Sequence, residues 1–123
     1  MGSVLGIGGV FFKCRDRTAL ADWYRRHLDF KIGEYGGTEF QPANLPSGAY
    51  CVWGPFEVGT HYFDPSDKPF MINLIVDDVD AVLARAAGGG AEIVGDIEDH
   101  SYGRFGWFVD PEGNKIELWQ PVP

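Results

Sequence analysis

A chain of 123 residues, 45% hydrophobic and 15% aromatic, has enough apolar side chain for one real core, and residues 1–123 read as a single globular domain. Ten basic against eighteen acidic residues give a formal net charge of −8 with no basic run, which speaks against nucleic acid and anionic membrane surfaces as partners. The apolar stretch 4–12 is too short to span a bilayer and has no basic region before it, so neither a signal peptide nor a membrane anchor is expected and a cytoplasmic location is predicted.

In chain order, residues 7–14 (I-G-G-V-F-F-K-C) alternate as a strand, with Gly9, Phe11 and Lys13 on one face and Val10, Phe12 and Cys14 on the other. Asp16 closes it. Leu20, Trp23, Tyr24 and Leu28 then fall on one helical stripe, predicting an amphipathic helix over 17–28 with Asp16 or Thr18 as N-cap. Residues 30–34, 38–41 and 49–53 are expected to be short strands, separated by Gly36-Gly37 and by the 42–48 loop. Residues 56–68, with Asp64-Pro65 and two aromatics, read as a linker. The two cysteines, Cys14 and Cys51, form no CxxC pair and read as free thiols.

From residue 70 the same order of events recurs. Residues 70–76 read as a strand, 79–88 as a helix ended by Gly88-Gly89-Gly90, and 92–96 as a further strand. Asp16 corresponds to Asp78 and Gly33 to Gly95 at one common offset, and Trp53 corresponds to Trp119. The D-P-E-G-N stretch at 110–114 is turn chemistry, since Pro111 presets φ and Gly113 tolerates positive φ. It predicts a hairpin pairing Val109 with Lys115, Trp107 with Glu117 and Phe105 with Trp119. Phe108, Ile116 and Leu118 then share the core face. The opposite face is unusual, because a carboxylate among aromatic rings is costly to desolvate unless donors or a cation attend it.

The duplicated βαβββ order, the D-P-E-G-N-K-I-E-L closing hairpin and the R-D-R-T-A-L-A-D-W-Y stretch after the first strand resemble the vicinal oxygen chelate superfamily, which holds the glyoxalases, the bleomycin resistance proteins and the extradiol dioxygenases. The resemblance implies an α+β fold of two tandem βαβββ modules, 4–56 and 69–121, whose sheets curl into an open, U-shaped cavity, usually in a homodimer. It also implies metal ligands of His, Gln or Glu type on the first and last strands of each module. Those positions fall on Gly9, Met71, Cys51 and Glu117, and only Glu117 matches. One carboxylate does not make a divalent-metal site, so no metal and no other cofactor is expected.

Strand parity places Phe11, Lys13, Cys51, Trp53, Met71, Asn73, Phe105, Trp107 and Trp119 on the face of Glu117, an aromatic cavity lining with few polar groups, or simply core. Lys13 opposite Glu117 reads as an ion pair or as an anion anchor beside a base. His100 and Arg104 are expected in a loop at the cavity mouth. Two functions follow. One is a metal-independent binding protein of the glyoxalase and bleomycin resistance type, holding an aromatic or hydrophobic small molecule; the other is a lyase-like or dioxygenase-like enzyme using Glu117 as its catalytic group with a relocated divalent metal.

Overall fold

The structure is a computed structural model and describes residues 2–122. Among the described residues the two α-helices are those the sequence predicts, α1 (Arg17–Leu28) and α2 (Val79–Gly88), and one short 3-10 turn, Pro42–Asn44, lies in the 42–48 loop. Each α-helix starts on an aspartate whose side chain accepts a first-turn amide, Asp16 from Ala19 at 3.0 Å and Asp78 from Ala81 at 3.1 Å. Such a cap satisfies an amide the helix leaves orphaned. The cap pair thus recurs at the same offset that relates the two halves of the sequence.

The sheet comes from the second half of the chain. Its strands are β1 (Ile72–Ile75), β2 (Glu92–Ile93), β3 (Glu98–His100), β4 (Gly103–Val109) and β5 (Lys115–Pro121). The order is β1-β5-β4-β2, with β3 also pairing with β4, and only the β1–β5 pair is parallel. The hairpin registers as expected: Val109 opposes Lys115, Trp107 opposes Glu117 and Phe105 opposes Trp119. The expected strand at 92–96 is shorter and is followed by β3, so His100 lies on a strand and turns through Ser101-Tyr102 directly into β4.

One face of this sheet packs against the helices. Phe108, Ile116 and Leu118 are 1% exposed or less and meet Val79, Leu83 and Ala86 of α2 and Leu20, Trp23 and Tyr24 of α1. Each fully buried side chain of this size contributes about 1.5–3 kcal/mol. Gly106 opposes Leu118 at the centre of this face, and α2 lies so close that a Cβ there would come 2.6 Å from Leu83 and 3.0 Å from Val79. Trp23 also ties α1 to the end of α2, its indole donating to the Gly89 carbonyl at 2.9 Å.

The first half departs from expectation. Among the described residues no ladder forms at 7–14, 30–34, 38–41 or 49–53, so the α+β sheet is open and mixed and is built by the module at 69–121. Alternation marks a residue as fit for a pleated surface, but a strand exists only with a partner, and the first-half segments pair with no strand of this sheet. Gly6, Gly8 and Gly9 further raise the entropic cost of ordering the first segment.

Candidate functional site

The sheet face away from the helices carries the candidate site, and the hairpin register builds it. Phe105 lies between Trp107 and Trp119, with centroids 6.4 Å away on each side and interplanar angles of 19° and 16°, so three rings run as one row across β4 and β5. Tyr50 abuts Trp119 edge-on at 4.8 Å, and His100 with Tyr102 extends the row at Phe105. Glu117 stands at the Trp107 end.

Glu117 is 9% exposed, and donors surround its carboxylate. Trp107 Nε1 donates to Oε2 at 2.9 Å and Asn73 Nδ2, from the neighbouring β1, donates to Oε1 at 2.7 Å. The Tyr62 hydroxyl donates a third, short bond to Oε2. These bonds replace the water the carboxylate loses on burial. Burial first, then the hydrogen bond and charge of Glu117, push the Tyr62 phenol well above its ordinary pKa, so it holds its proton at neutral pH. Lys115, also buried, donates to the Tyr62 carbonyl at 2.6 Å and sits 5.2 Å from the Tyr62 ring centroid and 5.9 Å from that of Trp107. Burial lowers its pKa, while the charges of Glu117 and Asp64 act in the opposite direction.

Of the residues expected here, Asn73, Phe105, Trp107, Trp119 and Glu117 come together, and His100 joins the edge of the row. Others do not. Phe11 is 94% and Trp53 81% exposed, Cys51 is exposed, and Met71 is half-buried without a polar contact to Glu117. Lys13 is not opposite Glu117; it lines a cleft of about 740 Å³ with Cys14, Arg15, Lys68 and the 110–113 turn. Arg104 points to the helix side, paired with Asp80 at 2.7 Å and Asp99 at 2.8 Å. Parity accounts for this, because Arg104 alternates with Phe105. In the first half parity has no ladder to act on, so it gives Phe11, Cys51 and Trp53 no common face with Glu117. Tyr62 and Tyr50 are the additions, and Tyr62 lies in the segment read as a linker, where no periodic signal marks a residue.

A profile described as a glyoxalase-like domain matches residues 9–119. The chain belongs to this glyoxalase-like family. Over 90 residues, 69% of its length, the glyoxalase-like domain is 33% identical to the protein named Putative glyoxylase CFP32 of Mycobacterium bovis. It is 46% identical over 55 residues, 44% of its length, to an uncharacterised protein of Mycobacterium tuberculosis. These matches span 32% of each relative, so the chain covers about a third of the curated relatives it resembles. Among solved structures, TnmS3, an antibiotic binding protein from a Streptomyces species, is 26% identical with 89% of each chain covered and a TM-score of 0.54. A protein of unknown function from Agrobacterium tumefaciens shares the fold at 19% identity and a TM-score of 0.56, covering 94% of this chain and 98% of that one.

The chemistry open to the glyoxalase-like domain at this site is set by the donors. N–H and O–H groups converge on Glu117 and would oppose a cation, and among the described residues no three His, Cys, Asp or Glu side chains gather as a metal requires. The residues present do not fit a divalent ion at Glu117. Among the described residues no helix is long and apolar enough to cross a membrane.

Proposed function

We propose that this glyoxalase-like domain is a metal-independent binding protein that holds a flat aromatic or hydrophobic small molecule against the Phe105–Trp107–Trp119 row. The row itself is the observation that carries the proposal: three near-parallel rings beside a polar end group are what a small-molecule pocket offers, an apolar wall with a few orienting groups. Hydrogen-bonded Glu117 orients and does not catalyse. The similarity to TnmS3 over most of both chains supports the same class of activity.

In this proposal modules 4–56 and 69–121 act as one domain in the cytoplasm. The sheet of the second module forms one wall of a U-shaped cavity. Segments 7–14, 38–41 and 49–53 bring Phe11, Lys13, Cys51 and Trp53 to the opposite wall on pairing, and a second copy of the chain completes the assembly. The exposed apolar side chains of the first half, Phe11 and Trp53 above all, support a further burial step.

The test is an NMR titration with flat aromatic compounds, neutral and acidic, following the indole N–H signals. Binding is expected to move the signals of Trp107 and Trp119. A compound that binds while leaving both unmoved would place the site elsewhere and overturn the proposal.

A further inference from the structure

Resting on the aromatic-row proposal, the contacts of Tyr62 say which polar group the guest carries. Tyr62 is 41% exposed, yet its hydroxyl reaches a carboxylate that is itself almost fully buried. Its ring meets Trp107 edge-on, with centroids 6.3 Å apart and an angle of 88°, and the Lys115 ammonium lies over it. The segment that carries it, residues 56–68, has no helix or strand and contributes no residue to the buried core. Side-chain bonds fasten it to the hairpin: Tyr62 to Glu117, Lys115 to the Tyr62 carbonyl, and Ser66 to the Gly113 carbonyl at 2.6 Å. Segments held this way open at low free energy compared with the core.

We infer that Tyr62 is a displaceable internal ligand and that the guest is a phenolic compound, an aromatic ring whose neutral hydroxyl takes over the bond to Glu117. When the strap lifts, Glu117 loses one of its three donors in a place with little access to water, and an unsatisfied buried acceptor is costly. A guest hydroxyl restores that donor and its ring takes the place of the tyrosine ring beside Trp107. A hydrocarbon or ether leaves the carboxylate short, and a guest carboxylate brings a like charge to it. Sites built to bond a hydroxyl reject analogues that lack one.

The probes are 2-naphthol and 2-methoxynaphthalene, alike in ring and differing in the donor. Calorimetry gives the affinities for wild type, Tyr62→Ala and Tyr62→Phe, and the indole N–H signals of Trp107 and Trp119 locate the binding. Tyr62→Ala is expected to bind 2-naphthol about tenfold or more tighter than wild type, since the internal competitor is gone, and to prefer it about tenfold over 2-methoxynaphthalene. Tyr62→Phe keeps the ring but loses the bond, so it should also bind 2-naphthol tighter than wild type, and it serves if Tyr62→Ala does not fold. Unchanged 2-naphthol affinity in both variants, with the Trp107 and Trp119 signals moving, overturns displacement while the aromatic-row proposal stands. Equal affinity for the two probes overturns the phenolic class alone. Binding by neither probe in any form of the protein, with both indole signals still, overturns the two proposals together.

Discussion

Tyr24, in the middle of α1, donates its hydroxyl to Asp110 at the end of β4 at 2.9 Å, joining the first half of the chain to the closing hairpin across 86 positions. Asp110 also accepts from the amides of Glu112 and Asn114 and from the Asn114 side chain, at 2.9, 3.0 and 3.0 Å, so one buried carboxylate organises the turn and docks the helix. Removing the hydroxyl by Tyr24→Phe is expected to cost about 1.5–3 kcal/mol, the range for a hydrogen bond to a charged group. Urea unfolding of the two proteins measures it.

The same pair sets an alkaline limit. Burial, reinforced by the charge and hydrogen bond of Asp110, holds the Tyr24 phenol well above its ordinary value of 10.0. A group whose folded pKa is raised contributes its stability in full below the unfolded value and loses it as pH rises toward the folded one. Wild type is therefore expected to lose stability above about pH 10, and Tyr24→Phe to lose less over that interval. Parallel slopes for the two would separate Tyr24 from the effect.

An acid limit falls in the same turn. Glu112 accepts the backbone amides of Arg15 and Asp16, both at 2.9 Å, fastening the entry to α1, and these bonds hold its carboxyl below the ordinary value of 4.5. A depressed folded pKa gives stability that is present above the unfolded value and lost as pH falls through the folded one. Glu112→Gln is expected to destabilise at pH 7 and to converge on wild type progressively as pH falls below the ordinary value of 4.5. Thermal melts across that range are the check.

Gly106 has no room for a side chain. Gly106→Ala would drive a methyl group into Leu83 and Val79, and overpacking of this kind costs about 1–3 kcal/mol. The expected outcome is a lower Tm with the aromatic row, on the opposite face, still able to bind. A variant as stable as wild type would mean that α2 shifts freely over the sheet.

For any aromatic guest, Trp107→Ala and Trp119→Ala should each weaken binding by at least about 0.5–1.5 kcal/mol, the stacking contribution alone, which is up to about tenfold in affinity. Trp53→Ala tests the opposite wall, since Trp53 stands 81% exposed and clear of the row. Loss of affinity in Trp53→Ala equal to that in Trp107→Ala would mean that the first half closes over the guest. Isothermal titration on the three variants decides it.

How much of this was legible in the residues depends on how local the signal is. Asp16 and Asp78 announce their helices because a cap bonds an amide three positions on, and 110–114 announces the hairpin because turn dihedrals belong to Pro111 and Gly113 themselves. Once the turn is set, alternation carries the register to Trp107 opposite Glu117 and on to Phe105 opposite Trp119. Long-range partners carry no such mark. Residues 7–14 and 49–53 have the pattern of strands, and whether they pair depends on a neighbouring edge elsewhere in space. Tyr62 is the sharpest case: no local rule ties a tyrosine in a turn-rich segment to a glutamate 55 positions later. The sequence by itself determined the helices, the closing hairpin and the aromatic face it presents, because those follow from contacts a few residues apart. Only the tertiary structure decided that Tyr62 completes Glu117, that Lys115 and not Lys13 is the cation beside it, and that the first half stands outside the sheet, because a buried carboxylate takes whichever donors the packed chain brings within reach.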